Sequence, residues 1–229
     1  MSTTEPLQTL QPSPVKHASP MLRSAKVVCQ SGEYICLVRD VSDTGVLLSY
    51  LHDVPTEPRI ILSLGNGQTY PIQRIWSGDT QAGYRFAGSM SLEEFLHEKT
   101  PFTLRPVRLT IAASARVIDG SEKHDARLRD MSTHGASFDC GLATKAVAAT
   151  PIPTGRRVTF QAHSMRPHGG QIVWHERSEK GWRYGLQFES PLTLRQLAQG
   201  SVRMQPFGPC ALKDPLQQPI PVLGSANAA

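Results

Sequence analysis

A phrase of seven residues occurs twice in this chain of 229 residues. The first copy, at 39–45, reads Arg-Asp-Val-Ser-Asp-Thr-Gly, and the second, at 129–135, reads Arg-Asp-Met-Ser-Thr-His-Gly. Each copy joins two short runs that have the composition of β-strands. Because an internal repeat decides how many folding units a chain contains, the shared pattern Arg-Asp-x-Ser-x-x-Gly predicts two copies of one small β domain.

The similarity extends beyond the phrase. In each half a tryptophan, a Gly-x-x-Phe segment and an amphipathic segment follow in the same order: Trp76, 83–86 and 91–96 in the first, and Trp174, 185–188 and 192–197 in the second. Turn residues divide each half into six short strands. The prediction is an all-β protein with short helices, built as two tandem six-stranded antiparallel β-barrels that each end in a short helix.

The repeat also predicts the domain boundaries. A Pro-, Gln- and Ser-rich tail at 1–20 is expected to be disordered, and a Pro-rich tail at 201–229 to be flexible. The first barrel is expected at 21–98, a linker at 99–104 and the second barrel at 105–200. The first helix is expected to begin with Ser91 as N-cap and Glu94 in a capping box. The second, at 192–199, is expected to stop at Gly200.

Composition narrows the function class. No apolar run is long enough for a transmembrane helix, no secretory signal is recognisable, and four cysteines without a CxxC spacing favour reduced thiols, so we expect a cytoplasmic protein. Residues 105–200 carry 14 Lys and Arg against 8 Asp and Glu, whereas residues 21–104 carry 7 against 9. The second copy is therefore the one expected to attract an anionic ligand.

Asp and Ser in the repeated phrase can bond backbone N–H groups and shape a turn, while Gly can supply a positive φ or let a ligand approach the backbone. Taken alone, the phrase is typical of a well-made turn without a ligand. In both copies, however, arginines precede the first strand: Arg23 in the first, and Arg105 and Arg108 in the second. Since an arginine fork can bind guanine or phosphate, this combination suits a guanine nucleotide.

On these residues the chain resembles a tandem PilZ protein, from the bacterial receptor family for cyclic di-GMP. That family combines RxxxR before the first strand of a six-stranded barrel with Asp/Asn-x-Ser-x-x-Gly after it. The resemblance implies a cyclic di-GMP site, with no further cofactor, at Arg105, Arg108, Arg129, Asp130, Ser132 and Gly135. A weaker second site would comprise Arg23, Asp40, Ser42 and Gly45.

The arginine half of the motif departs from the family pattern. The second copy has RxxR, one residue short, with Pro106 restricting Arg105 to extended geometry. In the first copy Arg23 matches the second arginine and Ser19 stands in place of the first, so this copy is expected to be degenerate. Arg129 either contacts phosphate or projects into solvent.

The leading interpretation is a non-enzymatic receptor whose ligand changes the arrangement of the barrels and contact with a protein partner, in motility or exopolysaccharide machinery by family analogy. The alternative is a degenerate interaction module that binds no nucleotide. Nucleic-acid binding is disfavoured because few aromatic residues accompany the basic ones. No catalytic set or metal-ligand spacing is recognisable, and Trp76 and Trp174 are expected to pack inside the barrels.

Overall fold

The computed structural model describes residues 22–96, 106–141, 150–163, 165–178 and 181–205. The first half contains β1 (Arg23–Cys29), β2 (Gly32–Val41), β3 (Gly45–Tyr50), β4 (Arg59–Ser63), β5 (Thr69–Ser77), β6 (Gln81–Phe86) and the short helix α1 (Leu92–Leu96). The second contains β7 (Leu109–Asp119), β8 (Glu122–Met131), β9 (Gly135–Cys140), β10 (Arg157–Ala162), β11 (His168–Ser178), β12 (Gly181–Phe188) and α2 (Leu194–Met204).

Each set of six strands closes into an antiparallel barrel, as the sequence predicts. The strand order is β1-β2-β3-β6-β5-β4 in the first barrel and β7-β8-β9-β12-β11-β10 in the second, so the two topologies are identical. Closure leaves no strand of either barrel as a free edge. The interior is filled by alternate apolar side chains, with stacked Phe138 and Phe160 in the second barrel and the paired hydroxyls of Tyr50 and Tyr84 in the first.

The repeated phrase lies at matching points of the two barrels. The pairing of β2 with β3 shifts register between Val38 and Asp40, and the pairing of β8 with β9 shifts between Leu128 and Asp130. Each shift is a β-bulge that contains the arginine of the phrase. A bulge re-aims the residues beside it, and here it sets the direction of the arginine and of the Asp that follows in both barrels.

Helix α2 differs from the prediction at both ends. Its N-cap is Thr193, whose hydroxyl accepts a hydrogen bond from Gln196 N in a complete capping box, and the helix continues through Gly200 to Met204. Gly200 therefore does not stop the helix. A Cβ at this position would lie 2.8 Å from Met165 Sδ, so close packing against the neighbouring loop accounts for a glycine inside the helix.

In α1 the predicted N-cap holds, because Ser91 Oγ accepts a hydrogen bond from Glu94 N at 3.3 Å. The expected tail at 1–20 and linker at 99–104 lie outside the described residues, as does 206–229. The division into two tails, a linker and two domains stays a prediction, except that the helix at 194–204 extends into the segment expected to be a tail.

The two barrels share parts of their cores. Val202 of α2 packs with the core of the first barrel, while Ile35 and Leu51 of the first barrel pack with the core of the second. Within the described ranges neither helix has the length and hydrophobicity to cross a bilayer. Among the same residues no three His, Cys, Asp or Glu side chains gather as a metal site would require.

Candidate functional site

The turn of the repeated phrase is held by its serine in both barrels. Ser132 is buried, and its N–H donates to Gly135 O at 2.8 Å while its hydroxyl accepts from His134 N at 3.3 Å. Ser42 makes the same backbone bond to Gly45 O at 2.8 Å. These bonds are internal to the turn, so both serines shape the turn in the structure.

The glycine of the phrase serves a purpose that the sequence did not reveal. Neither Gly45 nor Gly135 has a positive φ among the described glycines. A Cβ on Gly45 would lie 2.6 Å from Tyr84 O, and one on Gly135 would collide with Leu186 O. The neighbouring strand therefore passes too close for any side chain, which corrects the expectation of a positive φ at these two positions.

Arg108 and Asp130 come together as the sequence predicts. The Arg108 guanidinium lies 2.5 Å from Asp130 Oδ1, with half of the arginine side chain exposed, and Asp130 Oδ2 accepts a hydrogen bond from Ser137 Oγ at 2.5 Å. Arg105 lies outside the described residues. One arginine of the lead-in is thus held against the Asp of the phrase, at a solvent-accessible position.

A second cluster of charges lies beside this pair, and only one member was predicted. Arg129 donates to Asp139 Oδ2 at 2.9 Å, and Arg183 donates to Asp139 Oδ1 at 3.0 Å and to Glu176 at 2.9 Å. Its hydrogen bond to Asp139 raises the pKa of Arg183 above the ordinary value. The sequence signal for Asp139 was that it is the one acidic residue of β9.

Trp174 belongs to the outer surface, which corrects the expectation of a core tryptophan. Trp174 is 42% exposed, and its indole lies against Gly185, where a Cβ would collide with it. Strand pairing sets Asp130 opposite Ser137, Ser137 opposite Gly185, and Gly185 opposite Trp174. Three strand spacings, about 14 Å in all, therefore separate Asp130 from Trp174 on one surface.

We call this outer surface, formed by Arg108, Arg129, Asp130, Ser137, Asp139, Trp174, Arg183 and Gly185, the motif surface. It combines guanidinium groups, an accessible carboxylate and an exposed aromatic ring. A glycine in the middle of β12, opposite a tryptophan, was the sequence signal for the Trp174 position, since such a glycine marks close approach of a bulky group. The same pairing recurs at Gly83 and Trp76 in the first barrel.

Arg23 is not the counterpart of Arg108. Arg23 pairs with Val38, the residue before the repeated phrase in the first barrel. In the second barrel the residue before the phrase is Leu128, and its partner is Ala113, so Arg23 corresponds to Ala113. The sequence-based match between Arg23 and the second arginine of the motif is therefore wrong. The Arg23 guanidinium instead donates to Phe95 O at 3.0 Å and to Leu96 O at 3.4 Å, at the end of α1.

The first barrel presents a different version of the motif surface. Arg39 is only 8% exposed, and its Nε has no hydrogen-bond partner among the described residues. The positions of Asp139 and Arg183 are taken by Ser49 and Gln81, which pair with each other across β3 and β6 and are also buried. Asp40 Oδ1 accepts a hydrogen bond from Val41 N at 2.8 Å. The carboxylate that holds two arginines in the second barrel is thus absent from this position.

Glu33 connects the first barrel to the strand that follows Arg108. Its Oε2 accepts hydrogen bonds from Thr110 N and from Lys26 Nζ, both at 2.7 Å. Its backbone oxygen accepts from Gln205 Nε2 at the end of α2, at 3.0 Å. Since Thr110 pairs with Asp130, one carboxylate of the first barrel lies two residue steps from the motif surface of the second.

The described cysteines are unsuited to chemistry at this site. Cys29, Cys36 and Cys140 are free thiols. Burial raises the pKa of Cys29 and of Cys140 to about 12 and raises that of Cys36 further. Thiols with such pKa values are protonated and unreactive at neutral pH.

Comparisons with known proteins agree with this architecture. A sequence model of the PilZ domain matches residues 105–201. Among solved structures, PlzA of Borreliella burgdorferi in complex with c-di-GMP is 11% identical with a TM-score of 0.32, covering 80% of this chain and 88% of its own. The inhibitor of motility MotI/DgrA of Bacillus subtilis is 9% identical with a TM-score of 0.36, covering 81% and 97%.

YcgR of Escherichia coli, also in complex with c-di-GMP, is 12% identical with a TM-score of 0.29, covering 78% of this chain and 81% of its own. At such identities and scores these three similarities say nothing further about the ligand of this chain. A search of curated proteins found no match. The family match covers β7–β12 and most of α2, so over residues 105–201 the second barrel is similar to the PilZ domain.

Proposed function

We propose that this chain is a non-enzymatic receptor for cyclic di-GMP, with its site on the motif surface of the second barrel. The observation that carries the proposal is the accessible pair of Arg108 and Asp130 on a PilZ domain, with Arg129, Asp139 and Arg183 beside it. The match of residues 105–201 to the PilZ domain, the family whose motif the repeated phrase resembles, supports the choice of nucleotide.

The proposed roles follow from side-chain chemistry. Arg108, together with Arg105, clamps a guanine edge or a phosphate, because a guanidinium fork matches both. Asp130 orients Arg108 and accepts from the guanine, while Arg129 faces a phosphate. Ser132 and Gly135 keep the turn in place. Trp174 offers an aromatic ring on which a purine can stack.

Isothermal titration with cyclic di-GMP tests the assignment of Arg108. The variant Arg108→Ala is expected to lose about 1–3 kcal/mol of binding free energy, the usual contribution of a bidentate arginine–guanine contact. The matched control is Arg116→Ala, which removes an exposed arginine of β7, the strand that follows Arg108; Arg116 lies 3.6 Å from Asp125. Equal affinity in both variants would remove Arg108 from the site.

The bridge at Glu33 gives this receptor a physical connection between its barrels. A ligand changes such an arrangement only to the extent that it binds the two states differently. Any ligand that moves Arg108 also moves the strand that contains Thr110, and with it the hydrogen bond to Glu33. We therefore propose that nucleotide binding is read out as a change in the contact between the barrels, which in turn alters contact with a protein partner.

The variant Glu33→Ala tests this coupling. Loss of the acceptor for Thr110 N is expected to weaken cyclic di-GMP binding about three- to tenfold, because the lead-in strand loses one charge-assisted hydrogen bond. The control is Glu57→Ala, which removes an acceptor for Ser31 N inside the first barrel only. Small-angle scattering with and without ligand measures the accompanying change of shape. A ligand-dependent change that persists unaltered in Glu33→Ala argues against the bridge.

One observation favours a second candidate function, a module that binds proteins and no nucleotide. In the first barrel, the surface that corresponds to the motif surface is buried around Arg39. In the second barrel, Arg108 is paired with the carboxylate of Asp130. Under this alternative, titration with cyclic di-GMP produces no heat even at a ligand concentration of about a hundred times the dissociation constant of a typical specific site. Captured protein partners would then be the same with and without the nucleotide. Residence in the cytoplasm is part of both proposals.

A further inference from the structure

A cleft on the second barrel lies away from the motif surface, between α2 and the connection from β10 to β11. Gln196, Gln199, Gly200 and Arg203 recur at the spacing of one helix face and form one wall. Arg166 and His168 stand on the opposite wall. The cleft has a volume of about 340 Å³, which is in the range of small-molecule sites.

The floor of the cleft is where Gly200 meets Met165. Glycine inside a helix costs about 1 kcal/mol relative to alanine, and a Cβ here would lie 2.8 Å from the Met165 sulfur. The helix and the loop thus approach each other closely at Gly200. This contact brings the backbone of α2 and the loop together at the floor between the two walls.

The charges of the cleft are unbalanced. Arg108, Arg116, Arg129, Arg156, Arg157 and Arg183 each have a carboxylate partner. Arg166 and Arg203 are exposed, and no ion pair joins either of them to a residue within the described ranges. The sequence contains no Asp or Glu at 157–175 or at 190–205, and Glu189, the residue before the second of these segments, lies 3.7 Å from Arg157 Nε.

We propose that this cleft binds a small molecule that carries a diphosphate group. Two guanidinium forks on facing walls can each bind one phosphate bidentately, and the glutamine amides can add hydrogen bonds. None of the described residues that line the cleft carries a carboxylate. The inference is independent of the proposed function, because none of its residues belongs to the motif surface.

Inorganic pyrophosphate is the probe for the test, titrated by calorimetry into the full chain with Arg108→Ala as background so that the motif surface is impaired. Saturable binding is expected with one site per chain. Arg166→Gln and Arg203→Gln are each expected to weaken it at least about tenfold, the effect of losing one charge-assisted contact. Inorganic phosphate, which can occupy only one fork, is expected to bind at least about tenfold more weakly than pyrophosphate.

The matched control is Arg157→Gln, an exposed arginine of the same barrel outside the cleft. Its pyrophosphate affinity is expected to stay within about twofold of the background protein. Equal weakening in Arg157→Gln and Arg203→Gln would mean that pyrophosphate only senses net charge, and would overturn the site. Binding of an acidic peptide that depends on Arg166 and Arg203, with none of pyrophosphate, would overturn the diphosphate assignment and indicate a protein-docking cleft instead.

Discussion

Arg39 in the first barrel and Arg129 in the second occupy the same bulge of the same strand, immediately before the Asp of the repeated phrase. Arg39 is buried, and within the described part of the chain its Nε has no hydrogen-bond partner, whereas Arg129 is exposed and bonded to Asp139. The turn beside each arginine is built almost identically. The comparison teaches that the repeated phrase specifies the turn, while the surrounding outward residues decide whether the surface can receive a charged ligand.

Two positions carry most of this difference. Ser49 replaces Asp139 on the third strand of the barrel, and Gln81 replaces Arg183 on the sixth. Without the carboxylate, the first barrel cannot hold two guanidinium groups in place. Its outward positions on β2 and β3, such as Leu37 and Leu47, are apolar and buried, so this side of the first barrel has the composition of a core.

The largest difference between the two barrels is expected when the Asp of the phrase is removed from each in turn. Asp130→Ala is expected to weaken cyclic di-GMP binding more than about a hundredfold, because it removes one ligand acceptor and releases Arg108 from its position. Asp40→Ala is expected to leave the affinity unchanged. Titration calorimetry of both variants gives the answer. Comparable weakening in the two would place a working site in the first barrel as well.

The glycines of the phrase are expected to behave alike in the two barrels. Gly45→Ala and Gly135→Ala should each destabilise the protein by about 1–3 kcal/mol, because a Cβ would press on a carbonyl of the neighbouring strand. Urea unfolding measures the loss. Gly88→Ala is the control, since a Cβ at that position has no neighbour within 4 Å. A neutral Gly135→Ala with impaired nucleotide binding would instead assign this glycine to the ligand.

Replacing the two bulge arginines by methionine sharpens the contrast between a buried and an accessible charge. Arg39→Met is expected to leave the free energy of unfolding unchanged or to raise it by up to about 1 kcal/mol, because a buried guanidinium without full pairing is costly. Arg129→Met should weaken cyclic di-GMP binding about three- to tenfold through a lost phosphate contact. Strong destabilisation by Arg39→Met would show that its remaining contacts hold the first barrel together.

Low pH is expected to destabilise the first barrel through His52, and this effect should be smaller than those of the three sets of substitutions above. Burial lowers the pKa of His52 below its ordinary value of 6.5. As the pH falls below about 6.5, His52 becomes protonated in the unfolded chain but stays neutral in the folded barrel. The free energy of unfolding therefore decreases progressively below this pH. Urea midpoints at pH 7.5 and 5.5 measure the loss.

The variant His52→Gln should show a smaller shift of the urea midpoint between the two pH values than the unaltered protein. His168 of the second barrel also has a lowered pKa through burial, so His168→Gln serves as the comparison. An equal shift in the unaltered protein and in His52→Gln would exclude His52 as the origin of the acid sensitivity.

Much of the architecture could be predicted from the sequence, because strand alternation and turn residues are local signals. The six strands of each barrel and the pairing of Arg108 with Asp130 belong to this part. The match of Arg23 to the motif failed because Arg23 stands 17 residues before Asp40, whereas Arg108 stands 22 residues before Asp130. The strand register accordingly sets Arg23 at the position of Ala113, within the first strand of the barrel and not in its lead-in.

The remaining differences arise from contacts between segments that are distant in sequence. Gly200 looked like a helix stop because glycine commonly follows a helix, but Met165 packs against it. Trp174 looked like a core residue because it is large and apolar, but Gly185 offers it a place on the outside. Asp139 could not be assigned to the site from the sequence, because its partners Arg129 and Arg183 contact it from two different strands.

The position of Val202 limits how the chain can be divided. The PilZ match ends at residue 201, whereas Val202 is buried in a core formed by residues of the first barrel. If the chain were cut at the end of the matched domain, the loss of Val202 would leave a cavity in the core of the first barrel. Despite its duplicated sequence, the protein is therefore not a pair of interchangeable modules, and exchange of one barrel for a relative's requires the last turn of α2 to be redesigned with it.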